Sequence, residues 1–196
     1  MSAMSSVEAR FCRSAPWRGF ARRVVMPWVL ADTGELGRDV LEIGGGSGAM
    51  AQELLDHHPD IHLTLADIDP EMAAAARRRL APFGDRARVT VGDGTRLAFR
   101  DDSFDTVCSW LMLHHTIDWE GVLAEVVRVT RPGGLIVGYD LTDTAVARAV
   151  HRLDGSECRL LHPGELEREL GRLGAGGPVV ERALAGTTMR FRARAA

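Results

Sequence analysis

Three carboxylates stand at the ends of three successive apolar runs: Glu42 in VLEIGGGSGAMA, Asp67 in HLTLAD and Asp93 in RVTVGD. The first is followed by Gly44, Gly46 and Gly48, where missing Cβ atoms let the backbone turn sharply into a helix and let a ligand press against it. A carboxylate in the place of Asp67 can accept from both hydroxyls of a ribose, and one in the place of Asp93 can accept from an exocyclic amine. Taken singly, each acid reads as a helix cap or a solvated turn. Taken together around a glycine-rich turn, the three point to a cationic, hydroxyl-rich ligand rather than a pyrophosphate. The glycines by themselves do not decide, because Gly44, Gly46 and Ala49 also satisfy GxGxxA, the dinucleotide-binding fingerprint.

His114 and His115 follow a fourth apolar run, DTVCSWLMLHH, where an acceptor beside such a ligand would lie. Either could take a proton from an attacking oxygen or nitrogen. A structural histidine bonded to a loop carbonyl is the commoner outcome, and His114 is kept as the catalytic candidate. Asp140, after a fifth run, either orients a substrate amine or caps the next helix, with the cap favoured. Trp17, Trp28, Trp110 and Trp119 suit core or helix packing better than an aromatic pocket. No cysteine spacing suits a metal, and none is expected.

These residues need a scaffold that gathers strand ends. From Asp39 onward DVLEI, HLTLAD, RVTVGD, FDTVCSWLML and GLIVGYDL read as strands; AMAQELLDHH, PEMAAAARRRLA and WEGVLAEVVRVT read as helices. Pro70 opens the second helix and Pro132 stops the third. Continuously apolar strands separated by single helices predict a parallel sheet covered on both faces, a doubly wound α/β domain. In such sheets ligands bind beyond the carboxyl ends of the strands. The spacing predicts further helices over Thr144 to Leu153 and Pro163 to Leu173, then two strands, PVVERALAG and TTMRFRARA, that pair antiparallel.

The whole chain, 196 residues with 45% hydrophobic and 26% charged, suits one soluble domain and has no run long enough to span a membrane. A net charge of -3 gives no global case for a polyanionic partner. All 24 basic residues are arginine, which reads as genome composition rather than recognition chemistry. Cys12, Cys108 and Cys158 are widely spaced and read as reduced thiols; with no signal segment, a cytoplasmic location is expected. Near the start, SAPWRGFARRVVMPWVL places Trp17, Phe20, Ala21, Val24, Val25 and Trp28 at helical spacing and Arg18, Arg22 and Arg23 elsewhere, with a bend or end near Pro27. Residues 1–31 are therefore expected to form a basic amphipathic arm, and residues 32–196 a single domain. Such an arm can lie on a membrane; packing on the domain to close the ligand site is the commoner arrangement and the preferred reading.

Through LEIGGGSG, LADID, VGDGTRLAFRDDSFDTV and RVTRPGGLIV, in that order over roughly Val40 to Asp140, the chain resembles the class I S-adenosylmethionine-dependent methyltransferases. The resemblance implies a Rossmann-like fold, a doubly wound, mostly parallel seven-stranded sheet with an antiparallel final strand and helices on both faces. It implies S-adenosyl-L-methionine as cofactor. Gly44 and Gly46 would give the methionyl part room, Glu42 would help hold that region, Asp67 would bind the ribose hydroxyls, Ile68 would pack on the adenine, and Asp93 with Gly94 would read its edge. The fourth run lacks the Asp/Asn-Pro-Pro-aromatic turn of DNA amino-methylating members, so no nucleic acid partner is expected. A small-molecule acceptor is expected, with a lipid or quinone-like one among the choices; no pattern specifies an oligomer. Two rival readings are a nicotinamide-dependent oxidoreductase, from the GxGxxA overlap, and a non-catalytic protein that binds S-adenosylmethionine.

Overall fold

The computed structural model describes residues 19–154 and 158–196. Seven strands form one sheet: β1 (Asp39–Ile43), β2 (His62–Asp67), β3 (Ala87–Val91), β4 (Phe104–Trp110), β5 (Thr130–Leu141), β6 (Gly176–Ala183) and β7 (Thr188–Arg194), in the order β3-β2-β1-β4-β5-β7-β6. The first five pair in parallel, and β7 inserts antiparallel between β5 and β6. The expected doubly wound sheet with its antiparallel final strand is the observed one.

The helices are α1 (Met26–Val29), α2 (Ala49–His57), α3 (Pro70–Leu80), α4 (Trp119–Val129), α5 (Ala145–Asp154) and α6 (Pro163–Arg172). Local chemistry fixes their starts. Asp69 accepts from the N–H groups of Glu71 and Met72 to cap α3, with Pro70 in its first turn. Asp118 accepts from Gly121 N–H at 3.1 Å to cap α4. On α4 the buried residues Trp119, Val122, Leu123, Val126 and Val129 recur at helical spacing, which makes one stripe for the sheet.

Strand alternation sends side chains to two cores. Leu41, Ile43, Val107 and Ile136 join α4, α6 and Phe191 on one face. Val40, Cys108, Leu135 and Val137 join α1, α2 and α3 on the other. Both faces of the central strands β1 and β4 are covered, whereas toward the edge His62 and Thr64 of β2 and Arg88 and Thr90 of β3 form a less buried polar stripe.

Three features add to the sequence reading. No helix joins β3 to β4; residues 92–103 form an irregular connection whose Leu97 and Phe99 pack on the α4 face. Arg128 of α4 staples it, donating to the carbonyls of Leu97 and Phe99 and to Asp101 and Glu125. β5 starts at Thr130 rather than near Gly134, because a bulge shifts its register on β4 and absorbs Pro132 in the irregularity. The helix ends two residues past Pro27, at Val29, as expected from that proline. A π-helical turn (Ala21–Val25) precedes it and α1 runs on through it to Val29. The wider turn accommodates a residue that cannot donate its backbone N–H. Trp17 and Cys12 lie outside the described residues.

Candidate active site

The chain leaves β3 at one edge of the sheet and returns as β4 on the far side of β1, so β1 and β4 are neighbours whose connections diverge. A crevice opens at such a switch point, beyond the carboxyl ends of the strands. Glu42 and Asp67 lie at the ends of β1 and β2, Asp140 lies at the end of β5, and the segments after β1 to β4 carry Gly44, Gly46, Ile68, Asp93, Gly94 and His114.

After β1, two glycines do different work. Gly44 has φ +61° and donates its N–H to Ala66 O at 2.7 Å; a Cβ there would stand 2.0 Å from Met112 Cγ. Its bareness lets the segment after β4 cross the loop. Gly46 has φ +54°, and no heavy atom comes within 4 Å of where a Cβ would be. Its N–H donates to Asp67 Oδ2 at 2.7 Å. The loop therefore shows bare backbone outward and is tied from beneath to the acid that ends β2.

Asp67 is 8% exposed, and its other oxygen accepts from Asp69 N–H at 2.9 Å. Burial raises its pKa, and the N–H donors of Asp69 and Gly46 pull the other way. Glu42 is 1% exposed and its Oε2 has no hydrogen-bond partner among the described residues. Burial first, and the charge of Asp67 second, push its pKa well above the ordinary carboxylate value. It lies opposite Cys108 on β4 and under Gly45, where a Cβ would come 2.9 Å from Oε1. An orphaned buried acceptor beneath a bare-backbone loop fits a ligand with a positively charged group, which would satisfy the oxygen and restore its charge. Ile68 is half-buried beside Asp67. Asp93 is exposed, two residues past the end of β3, and Thr95 donates to it from N–H and hydroxyl, each at 2.9 Å. The Thr95 N–H bond lowers its pKa, so it stays ionised. Gly94 beside it is buried. Of the three acids, two are thus buried and coupled, and the third stands in solvent.

Beyond β4 the backbone is strained. Leu111 has φ +52°, unfavourable for a branched side chain, and is held there by its N–H bond to Tyr139 O at 2.9 Å. Met112 and a short 3₁₀ turn (Leu113–His115) follow. His114 Nδ1 lies 2.5 Å from Asp140 Oδ1, both groups being buried. Asp140 is not a helix cap: it accepts from Leu113 N–H and Leu141 N–H, and Thr144 Oγ1 accepts from Ala147 N–H at the start of α5. The partner of His114 is accordingly a carboxylate, not a loop carbonyl. Leu111, Met112 and His151 carry no motif and could not be singled out from the sequence; only the positive φ and the packing reveal them.

The other candidates take structural places. Trp110 and Trp119 are buried in the core, and Trp28 packs edge-on against Tyr139. Leu166 and Leu170 of α6 are fully buried in the α4 core, so this helix covers the sheet, whereas α5 brings His151 within 5.2 Å of the His114 ring. Val25, Met26 and Val29 share a core with Met50, Trp110 and Tyr139, while Phe20 and Val24 remain exposed. Among the described residues Cys108 is a buried thiol in no disulfide, no cluster suits a metal, and no helix is long and apolar enough to cross a membrane.

Residues 40–134 match the family model described as a methyltransferase domain. The chain is 32% identical over 154 residues to a demethylmenaquinone methyltransferase of Clavibacter sepedonicus, covering 71% of this chain and 59% of that one. It is 29% identical to a ubiquinone/menaquinone biosynthesis C-methyltransferase of Paracoccus denitrificans, over 64% of this chain and 50% of that one. The chain thus spans half to three-fifths of these relatives. Its fold matches that of a Haemonchus contortus phosphoethanolamine N-methyltransferase, solved with phosphomonomethylethanolamine and S-adenosylhomocysteine. The TM-score is 0.75 and the identity 15%, over 99% of this chain and 60% of that one.

Proposed function

The chain belongs to the class I methyltransferases, and from that premise we propose that it transfers the methyl group of S-adenosyl-L-methionine to a small-molecule acceptor by direct in-line displacement. The observation that carries this reading is the open face of Gly46, tied through its N–H to Asp67, above the unpartnered Glu42 Oε2. When bound, the cofactor supplies an electrophilic methyl carbon: as the bond to the acceptor forms, the carbon–sulfur bond breaks and its electron pair stays on a neutral thioether.

That chemistry asks little acid–base work at the leaving group, so the chain's own task is to hold and to exclude. Gly46 leaves room for the methionyl part, Gly44 lets Met112 cross the loop beside it, and Glu42 offers the ligand a negative acceptor. Asp67, its carboxylate already fixed by two backbone N–H groups, presents its remaining lone pairs to the ribose; Ile68, Asp93 and Gly94 take the adenine. Rigid placement of both reactants supplies the entropy advantage of an intramolecular reaction. Of the proposed arm over residues 1–31, the described part packs Val25, Met26 and Val29 into the core, which supports an arm that docks on the domain over 32–196 rather than one that lies on a membrane.

A quinone-like acceptor is the reading we favour. The two relatives named above carry quinone-pathway names. Ile117, two residues past His115, and Val146, in the first turn of the helix that carries His151, are exposed apolar side chains available to an isoprenoid tail. The test is incubation with methyl-labelled S-adenosylmethionine and a reduced naphthoquinone that carries an isoprenoid chain and an unsubstituted ring position. Label extracted with the quinone is the expected result; S-adenosylmethionine binding with no label transferred to that acceptor would refute the quinone assignment.

A further inference from the structure

Asp140 is a fully buried carboxylate, and each of its oxygens is engaged. Oδ2 accepts from Leu113 N–H at 2.8 Å; Oδ1 accepts from Leu141 N–H at 2.7 Å and faces His114 Nδ1 at 2.5 Å. The carboxylate is therefore immobile, and it immobilises the imidazole. The backbone of His114 is held as well, since its carbonyl accepts from Arg159 N–H at 2.8 Å and the Arg159 guanidinium donates to Ile117 O at 2.9 Å. With Nδ1 committed, Nε2 is the ring atom left for chemistry, and no described residue hydrogen-bonds to it.

The titratable groups that face the ring are Asp140 on β5, His115 at 4.0 Å between ring centroids, and His151 of α5 at 5.2 Å. The Arg159 guanidinium is engaged by Glu120 and lies over Trp119, 5.1 Å from its ring centroid. Apart from the other imidazoles, the charged group beside His114 among the described residues is the Asp140 carboxylate, which would stabilise an imidazolium. A base within bonding reach of a buried orienting acid, at the substrate end of a parallel sheet, is the general arrangement for proton abstraction.

Resting on the methyltransferase reading above, we infer that His114 is a catalytic base, that Asp140 is its positioning residue, and that the acceptor is one whose nucleophile must lose a proton. This class comprises hydroxyls, thiols, primary and secondary amines, and ring carbons activated by a neighbouring hydroxyl, the hydroxyl case being the one tested below; it excludes thioethers and tertiary amines, which attack through a lone pair already free. The acceptor O–H bond breaks, its proton goes to His114 Nε2, and the electron pair stays on the acceptor. That pair, at oxygen or conjugated onto the ring carbon, forms the bond to the methyl carbon. Where carbon is methylated, the ring C–H proton then leaves to solvent and restores the aromatic system. His114 returns its proton to water, and the carboxylate holds the ring in place throughout.

Two readouts test this on the full chain. The first needs no acceptor: nitrogen-15 histidine NMR should show His114 with its proton on Nδ1 and a free lone pair on Nε2, and Asp140→Asn should abolish that preference. A ring protonated on both nitrogens, or on Nε2 alone, would leave no lone pair for the acceptor and would overturn the proposal. The second uses naphthalene-1,4-diol as acceptor. His114→Gln should lower kcat by about 100-fold or more with little change in KM, and the loss should shrink as pH rises and the diol ionises by itself. Asp140→Asn should shift the rate–pH profile in the same direction. Equal kcat in His114→Gln and the unaltered chain would overturn the proposal. S-adenosylhomocysteine binding should survive both substitutions. Its absence from the unaltered chain would refute the methyltransferase reading instead, and the tautomer measurement would still decide on the pair.

Discussion

Gly44 and Gly46 sit two residues apart with nearly the same backbone conformation, φ +61° and +54°, yet alanine should harm them in different currencies. At Gly46 the new methyl meets no heavy atom within 4 Å, so the cost to folding is only the left-handed conformation, about 1–2 kcal/mol. At Gly44 the same conformational cost applies, and the methyl would also stand 2.0 Å from Met112 Cγ. Displacing that side chain from a packed position adds about 1–3 kcal/mol, for a total of about 2–5 kcal/mol. In a domain of this size each kcal/mol moves Tm by about 2–4 °C, so Gly44→Ala should lose about 4–20 °C and Gly46→Ala about 2–8 °C. Binding should follow the opposite order. The methyl on Gly46 occupies the bare face offered to the cofactor and should weaken S-adenosylhomocysteine by at least about tenfold, or about 1.4 kcal/mol. Urea unfolding measures the first quantity and calorimetric titration the second. Full cofactor affinity in Gly46→Ala, or a stability loss there equal to that of Gly44→Ala, would refute the division of labour between the two glycines.

Three further outcomes follow from the same site. Glu42 has its folded-state pKa raised above the ordinary value of 4.5, so the folded chain binds more protons than the unfolded one and the contribution of Glu42 to stability falls as pH rises from there toward the folded value. Urea unfolding across that window should show a slope that Glu42→Gln removes, and addition of S-adenosylmethionine should flatten it in the unaltered chain. Arg128→Ala should cost about 2–3 kcal/mol and lower Tm by about 4–12 °C, because it releases the β3–β4 connection and leaves Glu125, whose pKa the Arg128 bond lowers, without its cation. Asp67→Asn should lose about 1–3 kcal/mol in urea unfolding, because its single amide oxygen can take the N–H of Gly46 or of Asp69 but not both, and should also bind S-adenosylhomocysteine more weakly in the same titration.

Much of this architecture was legible in the chain because its signals are local. Asp69 before Pro70 marks a helix start, and the apolar runs of β1, β2 and β4 mark strands buried on both faces. The three acids and the glycines could be placed at strand ends for the same reason. What was not legible depends on partners distant in sequence. Nothing in RLAFRDDS says that Arg128, some 30 residues on, will hold it as an irregular crossing. The bulge that moves the start of β5 comes from pairing with β4, not from TRPGG itself. Asp140 read as a cap because a carboxylate before a helix usually is one; the fold brings it instead to His114, 26 residues earlier. The three acids also differ in a way their spacing conceals, since burial sets Glu42 and Asp67 apart from the solvated Asp93.

The most direct test of the central claim is a calorimetric titration of the purified chain with S-adenosylhomocysteine and with NADH, repeated on Asp67→Ala. The account requires about micromolar binding of S-adenosylhomocysteine, weakened about 10- to 150-fold when the carboxylate and its charged hydrogen bonds are removed, and no binding of NADH. Binding of NADH alone, or S-adenosylhomocysteine binding indifferent to Asp67, would contradict it.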